Sequence, residues 1–223
     1  MGEHTRHPAA RLELKERIVE TAVESFTTHG IKSITMDDIA ASLGISKRTL
    51  YEVFPDKETL LEECIQKERQ EADVFVKGVL ATSGNVLEVL LKLYQRSIEK
   101  FHSTNKKFFE DIKKYPRAYE LMKSDNNRKS EDSINFFKSG VKQGIFREDV
   151  NFAIVSLLVR EQLDMLMNTE LCNKYSFLEV YESIMFTFLR GVSTEKGAAE
   201  LDSFICEHRE KQILSGEKRD IIN

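Results

Sequence analysis

Apolar residues in this chain recur mostly at spacings of three and four, and period-two alternation rich in β-branched residues is scarce, so an all-α fold is expected. A first helix should cover residues 12–29, where Leu14, Ile18, Val19, Ala22, Val23 and Phe26 make one wide apolar face and Gly30 supplies a stop. A short second helix should start at Thr35, whose hydroxyl can cap free amides, with Asp37 and Asp38 suited to the positive end of the helix dipole. Ile39, Ala40 and Leu43 face inward, and Gly44 ends the helix in a sharp turn. Ser46 should cap a third helix through about Val53, with Ile45, Leu50 and Phe54 directed inward. Pro55 prevents continuation, and Asp56 should cap a long fourth helix over residues 56–76, with Leu60, Leu61, Cys64 and Ile65 on its buried side.

Helical patterning continues beyond Gly78 and Gly84. It predicts helices over residues 85–102, 106–114, 117–140, 151–168, 176–192 and 195–214, the third of these interrupted near 125–130. That interruption, DNNRKS, has the polarity of a loop, and its spacing does not fit a calcium-binding helix–loop–helix. Only Pro8, Pro55 and Pro116 stand against helix, so long stretches contain nothing that must break one.

Taken together, residues 35–54, TMDDIAASLGISKRTLYEVF, read as helix, glycine turn, helix. In a helix-turn-helix the first element braces across the DNA backbone while the second lies in the major groove. Eight residues of helix span about 12 Å, commensurate with a major groove about 12 Å wide. With Leu50 and Phe54 inward, Lys47, Arg48 and Tyr51 project from the opposite side, and Thr49 sits at the boundary. Lysine and arginine can address phosphate or the guanine edge, a tyrosine hydroxyl suits phosphate, and a threonine methyl can touch thymine. Lys57 adds a charge at the start of the next helix, where backbone amides already favour an anion. The pattern alone also describes an ordinary helical corner with a solvated face.

The stretch ITMDDIAASLGISKRTLYEVFPDKETLLEE resembles the signature region of the TetR/AcrR family of bacterial transcriptional regulators. Thr35, the Asp-Ile-Ala of residues 38–40, Gly44, Ser46-Lys47, Thr49-Leu50-Tyr51, Phe54, Lys57 and Leu60-Leu61 match in order, over about the first quarter of the chain. The resemblance implies that Lys47, Arg48, Thr49 and Tyr51 touch DNA, that Lys57 contacts a phosphate, and that Thr35 and Met36 lie at a helix start approaching the backbone. It also implies a layout of a flexible arm (residues 1–10), a helix-turn-helix domain (11–57) and a larger helical regulatory and dimerisation domain (58–223). Glu52 and Val53 depart from relatives, which often carry an aromatic residue or histidine there, and Asp37 is a second anion near the expected surface. The operator sequence therefore does not carry over.

Composition narrows the alternatives. Hydrophobic residues at 41% and charged residues at 31% fit a globular rather than a disordered chain. Net charge is −4, so a DNA-binding chain must concentrate its positive charge locally. No apolar run approaches the roughly 20 residues of a membrane helix, and MGEHTRHPAA has no apolar core for a secretory signal, so a cytoplasmic protein without a membrane partner is expected. Cys64, Cys172 and Cys206 are odd in number and far apart, as for free thiols; His4 and His7 lie in the expected arm, and no metal-ligand spacing occurs. No nucleophile elbow, phosphate-binding glycine loop or metalloprotease motif appears, so neither an enzyme nor a cofactor is expected.

The helices over 151–168 and 176–192 each carry more than one apolar face and must be buried on more than one side. A central place in one core satisfies this; the resemblance favours instead a homodimer through a four-helix bundle, with Val155, Leu158, Val159, Gln162, Met165, Met167, Phe177, Val180, Tyr181, Ile184 and Phe188 at the interface. A twofold dimer would present two recognition helices to a pseudo-palindromic operator. The resemblance further implies a small-molecule effector, apolar or amphipathic, in a pocket. Tyr94, Phe101, Phe108, Phe109, Tyr119, Phe136 and Phe137 are the candidate lining, although aromatic residues at helical spacing also serve as core. The expected function is a ligand-responsive repressor; the alternative is a helical protein-interaction module of the same fold that has lost DNA binding.

Overall fold

The computed structural model describes residues 8–124, 130–168 and 174–214. Among them are eleven helices: α1 (Pro8–His29), α2 (Met36–Ser42), α3 (Lys47–Val53), α4 (Lys57–Thr82), α5 (Val86–Ser103), α6 (Lys106–Ile112), α7 (Pro116–Ser124), α8 (Ser130–Lys142), α9 (Phe152–Asn168), α10 (Phe177–Val192) and α11 (Glu195–Leu214). The all-α expectation holds, with α1 to α3 forming the N-terminal helix-turn-helix. The only pairing of extended backbone among these residues is an isolated antiparallel bridge between Phe146 and Ser193.

Two helices are longer than their sequence pattern. α1 begins at Pro8, because a proline in the first turn removes only an amide that has no helical partner. Leu12, at the start of the span the sequence pattern predicts, is exposed. α4 runs through Gly78 to Thr82 because Val79 is buried, which outweighs the roughly 1 kcal/mol a mid-helix glycine costs. The expected helix over 117–140 appears as α7 and α8, and residues 125–129 between them lie outside the described residues. The same holds for His4, His7 and Cys172.

The chain divides into two compact units, Met1–Gly78 with Arg96–Arg128, and Val79–Gln95 with Lys129–Asn223. The divisions fall inside α4 and α5, and residue 57 lies well within the first unit. That unit is organised around Ile18, Val19, Ala22 and Phe26 of α1, packed with Ile31, Met36, Ile39, Leu50, Phe54 and the α4 residues Leu60, Leu61, Cys64 and Ile65. Apart from Ile31 and Met36, these are the inward positions of the sequence pattern, joined by Ile112 and Ala118 from α6 and α7. Burial pushes the Cys64 thiol up to about 12, which leaves it protonated and unreactive.

α6 is fastened to the end of α1 by polar contacts. The Asn105 amide donates to Thr27 O at 2.7 Å and its side-chain Nδ2 to Thr28 O at 3.0 Å, satisfying carbonyls that a helix end leaves free. Gly30, at φ 86°, is required twice over: the conformation is left-handed, and a Cβ there would meet Lys107 Cβ at 2.7 Å. Asp111 closes the junction by accepting from the Lys32 amide at 2.8 Å and from Lys114 Nζ at 3.3 Å. α7 is tied to α4 by Arg117, whose guanidinium lies 3.2–3.5 Å from Asp56, Glu58 and Glu62.

The second unit packs Leu87 and Leu91 of α5, Phe137 of α8, Phe152 of α9, Leu189 and Val192 of α10, and Leu201 and Ile205 of α11 around Ile145 and Phe146. Phe137 is its hub, stacked on Phe152 at 5.0 Å between centroids and touching Phe146 and Phe188. Ser176 caps α10 through a reciprocal box with Glu179, as a serine followed three residues later by glutamate favours.

Burial works to raise the Asp111 pKa, but the Lys32 amide and Lys114 overcome it and hold the carboxyl below the usual aspartate range. A lowered folded pKa stabilises above the unfolded value of about 4 and is lost as pH falls through the folded value. Asp111→Asn is expected to cost about 1 kcal/mol at pH 7, and the gap to the parent should narrow as pH drops below about 4, read by urea unfolding across that range.

Candidate nucleic-acid interface

α2 and α3 are set by their caps. Thr35, extended at φ −97°, accepts from the Asp38 amide at 3.1 Å while Asp38 accepts from the Thr35 amide at 2.8 Å. The Thr35 hydroxyl and amide both lower the Asp38 pKa, so the box is held by a carboxylate. Gly44, at φ 66°, lets the Ile45 amide turn back to Ala40 O at 3.0 Å, and Ser46 then caps α3 by accepting from the Thr49 amide at 3.1 Å. Leu50 is wholly buried and Phe54 nearly so. The opposite face is therefore outside: Arg48 is 89% exposed, Tyr51 41% exposed, and Lys47 exposed beside them.

The exposed cations are each engaged by a carboxylate. Lys47 Nζ lies 2.9 Å from Asp37 Oδ2 and 5.9 Å from the Tyr51 ring centre; the Asp37 hydrogen bond and charge raise its pKa. Arg48 Nε lies 3.0 Å from Glu52 Oε1, one helical turn on. Asp37 and Glu52, the anions noted near this surface in the sequence, are thus the partners of the two exposed cations. Pairs this exposed are screened by solvent and hold their partners only weakly.

Three expected contacts sit differently. Met36 is buried in the core, leaving only backbone at that helix start. Thr49 is half-buried, its hydroxyl 2.8 Å from that of Ser46. Lys57 does not point to solvent as a phosphate ligand would: its ammonium donates to the Ile31 and Ile34 carbonyls and lies 5.5 Å from the Phe26 ring centre. Burial lowers its pKa, against the attraction of Asp111 and Asp38. Lys57 is the tie that closes the α1–α2 turn. Sequence could not separate this from a phosphate contact, because a lysine at a helix start suits both.

The seven candidate pocket residues divide between the two units. Phe101, Phe108, Phe109 and Tyr119 belong to the first unit, where Phe108 and Tyr119 pack on the core and Phe101 stacks on Phe109 at 5.6 Å. Tyr94, Phe136 and Phe137 belong to the second, where Tyr94 and Phe137 are buried and Phe136 packs on the core. A cavity of about 410 Å³ does lie in the second unit, between α5 and α11, and none of the seven lines it. Its wall carries Glu88, Lys92, Glu200, Glu207 and His208, more polar than the sequence led one to expect.

Of the expected interface residues, Leu158, Gln162 and Met165 are exposed on α9, while Val155 and Phe188 pack inward on the second unit's core and Val159, Phe177, Val180, Tyr181 and Ile184 are half-buried. Met167 lies outside the described side chains. Sequence reasoning missed Ile154 and Leu157, exposed on α9 with Leu158 and Met165 at spacings of three, four and seven. The helical stripe was legible, but its rotation about the axis was not.

Residues 18–64 match the model of bacterial regulatory proteins of the tetR family. The HTH-type transcriptional repressor KstR2 of Mycolicibacterium smegmatis is 26% identical over 159 residues, 69% of this chain and 76% of that one. A Saccharomonospora viridis protein solved in complex with choline has a similar fold, with a TM-score of 0.65 at 21% identity, over 82% of this chain and 100% of that one. A TetR-family regulator from Agrobacterium tumefaciens superposes with a TM-score of 0.63 at 15% identity, again over 82% and 100%. Among the described residues, no helix is long and apolar enough to cross a membrane.

Lys57→Ala is expected to lower unfolding stability by about 1–3 kcal/mol, because it takes a donor from the Ile34 carbonyl and leaves the Ile31 carbonyl only the Ile34 amide at 3.4 Å. Lys47→Ala, at an exposed position, should leave the unfolding midpoint essentially that of the parent. Paired urea titrations check the contrast.

Proposed function

Because the chain belongs to the TetR family of bacterial regulators, we propose that it is a ligand-responsive transcriptional repressor that binds a pseudo-palindromic operator as a homodimer in the cytoplasm. The observation carrying this reading is α3 itself: Leu50 and Phe54 anchor it from beneath, and Lys47, Arg48 and Tyr51 stand exposed on the other side. In this reading residues 11–57 address DNA, with Thr35 beside the backbone, while 58–223 regulate and dimerise. Seven residues of α3 at about 1.5 Å each fit a major groove about 12 Å wide.

Dimerisation is supported by Ile154, Leu157, Leu158 and Met165, large apolar side chains exposed along one helix. A second copy covering them would make an isologous contact, and a pseudo-palindromic operator offers such a dimer half-sites about 34–36 Å apart. Regulation is a population shift in which effector favours a state with altered α4; tenfold weaker operator binding needs a preference of only about 1.4 kcal/mol.

A second reading, an interaction module without DNA binding, is favoured by the pairing of Lys47 with Asp37 and of Arg48 with Glu52. One experiment separates the two. Gel shift on DNA upstream of the protein's own gene should show binding that weakens steeply with salt, and Lys47→Ala should reduce the log–log salt slope by about 0.9 per protomer. Tyr51→Ala should weaken binding as well. No shift, or a shift that ignores salt and both substitutions, establishes the module reading instead.

Leu158→Glu, on the exposed stripe of α9, should convert the dimer to a folded monomer. Sedimentation equilibrium gives the mass, and unaltered far-ultraviolet circular dichroism confirms that the protomer is intact.

A further inference from the structure

We propose that the cavity between α5 and α11 is a binding site for a compact organic cation bearing an apolar group. At about 410 Å³ it falls in the range of roughly 300–1,000 Å³ typical of small-molecule sites. The first argument is charge. Glu88, Glu200 and Glu207 line the cavity against one ammonium, Lys92, which is already held by Glu88 at 2.7 Å. Glu200 accepts a hydrogen bond from Asn85 Nδ2 at 2.9 Å, which fixes the carboxylate in place without neutralising it. The surplus is negative, so an anion is repelled, and a neutral apolar ligand would strip water from carboxylates and give nothing back.

The second argument is the aromatic wall. Phe204 and His208, one helical turn apart on α11, stack face to face at 5.6 Å with 7° between their planes, and both line the cavity. Aromatic faces attract cations, by about 0.5–1 kcal/mol when exposed and more when desolvated. Leu87 and Leu91 supply an apolar surface opposite. Nor are the carboxylates gathered as a metal site: among the described residues, no group of three or more histidine, cysteine, aspartate or glutamate side chains is placed to hold an ion. Point charges spread around an apolar and aromatic wall match an organic ammonium.

The third argument is rigidity. His208 sets its ring edge-on to Tyr94 at 5.5 Å, with Nε2 3.4 Å from the Tyr94 hydroxyl. That hydroxyl donates to Glu182 Oε1 of α10 at 2.8 Å, and the Tyr94 ring stacks on Tyr181 at 5.8 Å. The cavity wall is thereby preorganised, and a cation pressing on His208 acts on α10, which packs against α9. This regulatory consequence rests on the repressor reading; the binding itself does not.

The test is calorimetric titration of the full chain, without DNA, using phenyltrimethylammonium as the cation and 4-tert-butylphenol as a neutral molecule of similar shape. The cation should bind saturably and the phenol much more weakly. The double variant Glu200→Gln, Glu207→Gln, which keeps shape and hydrogen bonding, should weaken the cation at least tenfold, and Phe204→Leu should weaken it as well. Equal binding of both probes, no saturable binding of the cation, or unchanged affinity in the double variant overturns the proposal. Since no DNA is present, such a failure leaves the operator reading standing, and a failed gel shift leaves the cation site standing.

Discussion

The arrangement of the first unit depends on the burial of Leu50 and Phe54 beneath α3. Burying a large apolar side chain stabilises by about 1.5–3 kcal/mol, and whole domains are stable by only about 5–15 kcal/mol. Turning α3 about its axis would expose both and drive Arg48 and Tyr51 into the core, so the rotation of the helix is fixed. The outward display of Lys47, Arg48 and Tyr51 follows from that constraint. α3 is too short to hold its own shape, and its orientation comes from the α1, α2 and α4 residues it rests on.

Polar contacts then fix the turn between α1 and α2 from several sides. Lys57 donates to its carbonyls, Asp111 accepts from its Lys32 amide, and the Thr35–Asp38 box starts the next helix. Each satisfies a backbone group that a tight turn would otherwise leave unpaired. The lysine best placed by sequence for phosphate is thus a structural donor. The carboxylates Asp37 and Glu52 on the same face are partners of the exposed cations, so an acidic chain keeps cations on α3 without a large positive field.

The second unit is held more by aromatic packing than by polar ties. Phe137, Phe146, Phe152 and Phe188 make its centre, and Tyr94 gathers a second set from α10 and α11. With these rings used for packing, the exposed apolar surface falls on α9 and the cavity falls among charged residues between α5 and α11. The two functional surfaces proposed for this unit are therefore distinct.

Sequence alone determined the helical class, the bounds of α2, α3, α10 and α11 to within a residue or so, and the inward set Ile18, Phe26, Ile39, Leu50, Phe54 and Leu60. Caps, glycine turns and the 3.6-residue period are local properties, so they can be read locally. Tertiary structure alone decided that Lys57 turns inward, that Met36 is core, that Tyr94 and Phe137 pack rather than line the cavity, and that Ile154 and Leu157 rather than Val155 face out on α9. A helix with apolar residues on several sides has no unique rotation in sequence, and a lysine stem reaches equally toward solvent or a carbonyl. Those choices belong to the neighbours that the fold brings close.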